Sequence, residues 1–163
     1  MVMRKRSKYR PKRVLANPLG YVIESMIPVA HYESYLVDLK IKNSEAMCSL
    51  ISGKATKANI DTLVTMSNMT EVLHEMGFGK EHHNICTDGR FAIFSIVQRA
   101  VKHGRFTPTG PEIHMLNLLI ELHDAQMSIV TIRDIEKALT IAHRKITHDK
   151  NTMKLPSVPE ILH

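Results

Sequence analysis

Residues 31–53 read HYESYLVDLKIKNSEAMCSLISG, and the fold class turns on how they are read. Residues 37–42 inside this stretch, VDLKIK, alternate apolar and charged side chains, the period of a half-buried strand. A second pattern crosses the first. Leu36, Leu39, Ala46 and Leu50 fall on a heptad stripe with Asn43 in its gap, and Gly53 stands where a helix wants a C′ glycine. The stretch is read as a helix ending near Ser52, and the chain with it as all-α.

The segments on either side agree. Upstream, Asn17-Pro18 is a helix start, Asn as N-cap and Pro at the first helical position. Leu19, Val22, Ile23 and Met26 share one face there, and Pro28 ends the helix. Downstream, a third helix starts at Thr56 or Asn59, shows Ile60, Leu63, Met66, Val72, Leu73 and Met76 as its apolar side, and closes at Gly77. A helical pattern fills the segment from Lys80 to His103, with Asp88-Gly89 either interrupting it or lying within it. Thr109-Gly110-Pro111-Glu112 caps a fifth helix, and Thr131 to Asp134 resembles a capping box opening a sixth through Lys145. No hairpin dipeptide lies between alternating runs, and no glycine-rich strand-to-helix turn occurs. The expected architecture is one compact bundle of about six helices over residues 17–149, with a basic arm at 1–16 and an extended tail at 150–163.

At 163 residues the chain is long enough to bury one real core. No apolar run approaches the length of a membrane span, and the basic start has no apolar segment of a signal peptide behind it. Cys48 and Cys86 show no finger spacing, and the expectation is two reduced, buried thiols without a structural zinc. Most of the ten methionines are expected in the core, since they fall within apolar helical stripes.

Candidate chemistry is sparse. On the fifth helix His114, Asn117, Glu121 and Asp124 are spaced as one polar stripe among residues that are otherwise apolar nearly all round. Such a helix is expected at the centre of the bundle, with the stripe facing water or a satisfied internal network. A catalytic or metal constellation is the sharper reading of the same residues, and the weaker one. The Glu-x-x-His spacing of di-iron bundles occurs at Glu71–His74 and Glu160–His163, but the second lies in the tail, so no metal site is expected. His82 and His83 are adjacent and point apart on a helix. His123, His143 and His148 read as partly exposed or interhelical residues. No zinc-protease, nucleophile-elbow or phosphate-loop motif is present. A non-enzymatic protein without a cofactor is expected.

The start of the chain, MVMRKRSKYRPKRV, holds the strongest signal. Arg4, Lys5, Arg6, Lys8, Arg10, Lys12 and Arg13 carry seven of the 22 basic charges, leaving fifteen against sixteen acidic residues in the rest of the chain. All the excess positive charge therefore sits in the arm. Pro11 disfavours a helix there, and Tyr9 offers a ring to stack on an exposed base. Such an arm can follow phosphates without reading sequence. The competing readings are binding to an acidic protein surface, a nuclear import address and a solubilising tail. No helix carries a convincing recognition-helix pattern, although short turns allow a helix-turn-helix.

The combination KYRPKRV, NPLGYV, LKIKN, TGPEIHMLN and HDAQM, from about Lys8 to Arg144, resembles small, mostly uncharacterised proteins of bacteriophages and prophages of proteobacteria. The resemblance implies a bacterial cytoplasm and a task in handling phage DNA or disarming a host system. It carries over no catalytic residue and speaks against a nuclear address. The expectation is a phage accessory protein whose arm binds nucleic acid, DNA before RNA, or a nucleoprotein complex. The alternative is an interaction module that inhibits a host complex such as a defence nuclease or the replication or transcription machinery.

Overall fold

A computed structural model describes residues 18–148. Among them are six α-helices and no strand: α1 (Pro18–Ser25), α2 (Glu33–Ile51), α3 (Lys57–Glu75), α4 (His83–His103), α5 (Gly110–Ile129) and α6 (Ile132–His148). The arm, its Asn17 boundary and the tail beyond residue 148 lie outside the described residues.

The ambiguous stretch is helical, and burial shows why. Leu36 and Leu39 are half-buried, and Asn43, Ala46, Met47 and Leu50 are buried, so the heptad stripe faces the bundle. Val37 and Ile41, which only a strand would have placed beside Leu39, are about half exposed at 52% and 49%. A strand here would bury one side of six residues. The helix buries a stripe four turns long.

Of the two starts that the sequence offered for the third helix, Thr56 is the right one, and Asn59 lies inside the first turn. Thr56 is the N-cap, and Asn59 three positions on accepts the Thr56 backbone N–H at 2.9 Å, forming a capping box. Thr109 and Glu112 make the same device on α5, with Pro111 in the first turn. At the start of α6, Asp134 accepts the Thr131 N–H at 2.9 Å. Each cap satisfies amides that the first turn leaves without helical partners.

Asp88-Gly89 does not break α4, which runs unbroken from His83 to His103 behind a short 3₁₀ turn at Lys80–His82. Gly89 serves a different purpose. A Cβ there would sit 2.8 Å from Leu119 Cδ2 and 3.1 Å from its Cβ. The glycine lets α4 and α5 approach where Leu119 fills the gap. The helical penalty of glycine, about 1 kcal/mol, is offset by that close packing.

The core has two parts. The larger joins α2, α3, α4 and α5 through Leu50, Leu63, Ile93, Ile96, Leu116 and Leu119, with Phe106 from the α4–α5 loop plugging it. The smaller lies under α6, where Val72, Leu73, Met127, Val130 and Ala138 meet. Full burial of one such leucine contributes about 1.5–3 kcal/mol. The hub is α3, which packs against α2, α4, α5 and α6. The expectation of α5 as a central helix holds, with α3 sharing the place: α5 packs on α2, α3 and α4 and joins the smaller core under α6 through Met127. The α1–α2 connection is pinned to the α5–α6 turn by Val29 N–H on Val130 O at 2.9 Å and Ile132 N–H on Ile27 O at 3.2 Å.

The first helix departs from the pattern. Its apolar face, Leu19, Val22, Ile23 and Met26, is 45–70% exposed. It touches α6, where the Tyr21 hydroxyl donates to Glu136 at 2.6 Å. The periodicity was real, but among the described residues no element covers that face. The methionines divide in a related way: Met47, Met66 and Met127 are buried, while Met26 stands 60% exposed.

Candidate functional site

The polar stripe on α5 turns outward. His114, Asn117 and Glu121 are exposed, and Asp124 is half-buried with its carboxylate 3.7 Å from Lys40 Nζ. An exposed pair at that distance contributes little. These four residues line the solvent side of the helix and converge on no cleft. The arm residues Arg4, Lys5, Arg6, Lys8, Tyr9, Arg10, Lys12 and Arg13 lie outside the described residues.

The Glu71–His74 spacing is occupied by structural work. Both Glu71 oxygens accept from Arg90 on α4, at 2.6 and 2.8 Å. His74 Nδ1–H donates to the Gly79 carbonyl at 2.9 Å, bracing the α3–α4 turn. Arg99 on α4 likewise clamps Glu112, with 2.9 Å from Nη1, and the Thr107 carbonyl. Burial pushes the Glu112 carboxyl up, but Arg99 and the Thr109 amide and hydroxyl outweigh it and hold the carboxyl below its usual value. Among the described residues no three His, Cys, Asp or Glu side chains are close enough together to hold a metal ion.

Of the two readings given for His123, the interhelical one holds: it is 2% exposed, its Nδ1 lies 3.1 Å from the Thr70 hydroxyl on α3, and burial lowers its pKa to about 4. It lies on the inward side of α5, on the face opposite the polar stripe's exposed members. The expectation of two buried thiols needs correction. Cys48 is exposed, whereas Cys86 is buried and its pKa is pushed up to about 11 by burial and by nearby Glu71; both are free.

The buried polar side chains form the site that the sequence did not announce. The Thr70 hydroxyl donates to Met66 O at 2.9 Å and lies 3.1 Å from His123 Nδ1. With its one proton directed at Met66, the Thr70 oxygen must accept from His123 Nδ1–H. That fixes the imidazole tautomer and leaves Nε2 as a bare acceptor. Gln126, one turn on, donates from Nε2 to the carbonyls of Thr70 at 3.1 Å and Phe78 at 3.0 Å. His123 Nε2, Asn43 Nδ2 and Gln126 Oε1 are buried without a hydrogen-bond partner.

Asn43 and His123 contribute to the lining of one cleft of about 370 Å³ between α2, α3 and α6, with α5 as its floor. Its walls are mainly Tyr35, Leu39, Met66, Met69, Met127 and Leu139, with Lys42 and Asp61 also on its lining. Tyr35 and Ile135 continue into a shallower groove with Val29, Tyr32 and Ile132. Glu136 links that groove to a third hollow between α1 and α6, lined by Tyr21, Val22 and Ser25. One side of the molecule is therefore furrowed from the α1 face to the His123 cleft. Helical spacing marks α1 as amphipathic, and that signal was available. The orphaned groups were not legible, because they depend on which residues of separate helices meet. Nothing among family models, curated proteins or solved structures matches this chain, so no activity or partner reaches it by likeness.

Proposed function

We propose that this protein is a non-enzymatic accessory factor that docks on a nucleoprotein complex, its basic arm on phosphates and its α1 face on protein. One observation carries the reading: a segment with seven cations and no acidic residue ends at Arg13, five residues before a helix whose apolar face no described element covers. The arm supplies affinity without sequence preference. The α1 face supplies a patch of Leu19, Val22, Ile23 and Met26 that water solvates poorly. Together they suit a partner that presents nucleic acid and an apolar protein surface side by side. DNA is the preferred nucleic acid, and the setting that the phage resemblance implies is a bacterial host cell.

The test uses two variants of the full chain. Replacing Arg4, Lys5, Arg6 and Lys8 with Ala should weaken binding to duplex and single strands alike in a gel shift. Ile23→Lys, at a site 59% exposed, should leave the fold and bare-DNA binding intact but abolish capture of the protein partner. Binding of host protein that survives nuclease treatment and arm neutralisation, with no gel shift at low salt, would transfer the function to the inhibitor alternative. The exposed apolar face of α1 is what favours that second reading.

A further inference from the structure

We propose that the end of the bundle where the α2–α3 and α4–α5 loops meet is a second phosphate-binding surface, which grips a nucleic-acid backbone separately from the arm. It deepens the reading given above and rests on its choice of nucleic acid as partner. The body is close to neutral, with thirteen basic and fourteen acidic residues between Pro18 and His148. Its charges are nonetheless sorted.

The contacts fix which helix ends lie together. Glu71 meets Arg90, and the rings of His74 and His83 lie 5.4 Å apart, so α4 runs back along α3. Arg99 meets Glu112, and Gly89 lies against Leu119, so α5 runs back along α4 and parallel to α3. The starts of α3 and α5 and the finish of α4 therefore share one end, and the short α2–α3 loop brings the finish of α2 there as well. The two loops, with the adjoining turn and a half of each helix, hold Lys54, Lys57, Arg99, Lys102 and Arg105 against only Asp61 and Glu112. The rest of the body is left with eight basic and twelve acidic residues. Arg99 and Glu112 neutralise each other, and Asp61 lines the cleft between α2, α3 and α6. Lys54, Lys57, Lys102 and Arg105 remain. All four are exposed, and none of them is in an ion pair among the described residues.

Helix stability does not account for this set. Lys102 suits the last turn of α4, but Lys57 opens α3, where the helix dipole favours an acid and the first turn has none. Lys54 and Arg105 stand beyond the helices, in the loops. Packed helices lie about 8–10 Å apart, so the end of four of them is about 20 Å across. A duplex carries one charge per about 1.7 Å of axis, so cations spread that widely can each meet a different phosphate. Lysine, a point charge on a flexible stem, suits such a repeating backbone. The acidic remainder of the body repels a polyanion and turns this end towards it.

The test follows binding of a fluorescent duplex of about two helical turns at salt from about 50 to about 200 mM. The end variant of the full chain carries Lys54→Gln, Lys57→Gln, Lys102→Gln and Arg105→Gln. A control variant carries Lys42→Gln, Lys80→Gln, Lys137→Gln and Arg144→Gln, which removes the same charge from other exposed positions. Each set is made in the wild-type chain and in the chain with Arg4, Lys5, Arg6 and Lys8 replaced by Ala. At low salt the end variant should bind at least about tenfold more weakly than its parent, and its slope of log K against log salt should be shallower by about two to three. The control should stay within about threefold of its parent. Should the end variant melt at a lower temperature, the pair Lys57→Gln and Lys102→Gln carries the test, with about half the change in slope. An end variant that binds like its parent overturns the proposal, even where neutralising the arm weakens binding and the arm reading stands. Equal losses in the end and control variants also overturn it, since net charge would then suffice. So does an end variant that keeps the duplex but loses a host protein, which would make the surface one for an acidic protein. An arm-neutralised chain that binds like wild type until the end is changed removes the arm from the interface and leaves this surface as the site. Absence of binding by the wild-type chain sinks both.

Discussion

Lowering the pH from about 7 to about 5 should destabilise this protein through one residue, His123. The imidazole is buried on the inward side of α5 and, with its pKa at about 4, stays neutral in the folded state. In the unfolded chain it titrates near about 6.5. Between those values the unfolded state binds the proton and the folded state does not. Stability therefore rises with pH through this window and is lost as pH falls. A folded pKa of about 4 against an unfolded one of about 6.5 gives a loss of about 2 kcal/mol between pH 7 and pH 5, and about 3 kcal/mol in total below pH 4. The assay is guanidinium unfolding of the wild-type protein and of His123→Gln at both pH values. The Gln variant keeps an amide donor for Thr70 but cannot titrate. Lys42 and Asp61, on the same cleft, are present in both proteins and cancel in the comparison. Glu112 has its carboxyl held down, so its contribution is lost only at pH values below the ordinary carboxylate range, outside this window. The wild-type protein should lose about 2 kcal/mol more than the variant. Equal losses in the two proteins would refute the reasoning, as would an imidazole signal for His123 that titrates at its ordinary value in the folded state.

Three further outcomes follow from other parts of the molecule. Gly89→Ala gains about 1 kcal/mol of helix propensity but drives a methyl to 2.8 Å from Leu119 Cδ2 in a filled core; overpacking of about 1–3 kcal/mol should win, and a raised melting temperature would contradict the close crossing. Of the two thiols, Cys48 should react rapidly with Ellman's reagent in the native protein while Cys86, with its pKa pushed up to about 11, reacts only on unfolding. If three to five arm cations meet duplex phosphates, log K against log salt should slope at about −3 to −4.5, and neutralising four of them should flatten it; an unchanged slope would remove the arm from the interface.

Much of the fold was legible because helices declare themselves locally. A capping box is a contact between residues three apart, so Thr109–Glu112 and Thr131–Asp134 could be located from spacing alone. The Leu36–Leu39–Asn43–Ala46–Leu50 stripe outvoted the VDLKIK alternation because the stripe and not the alternation is what the bundle buries. Gly89 marks the boundary of that legibility. Its sequence context reads as a turn, yet its purpose is set by Leu119, thirty residues away on another helix. Phe106 is similar: a single aromatic residue in a turn-rich loop, buried to 2% because the gap between α4 and α5 needs it.

The cleft was hidden for the same reason, and α5 shows how. Every third or fourth residue from His114 to Asp124 is polar, and a sequence reader sees the stripe with the most members. Stripe size, however, correlates with solvent. Hydration costs nothing on the outside, so polar residues accumulate there, whereas each polar group inside must find a partner. The informative residues are therefore the isolated ones: His123 and Gln126 among leucines on α5, Asn43 within the apolar stripe of α2, Thr70 between Met66 and Leu73 on α3. Each alone looks like an imperfection in an amphipathic pattern. Their meaning emerges only where α2, α3 and α5 meet, and there the count of donors and acceptors does not close. Thr70, His123 Nδ1 and the Gln126 amide nitrogen are satisfied, while Asn43 Nδ2, His123 Nε2 and Gln126 Oε1 are buried without a partner. Their placement is a cost, part of which an Asn43→Leu change would relieve.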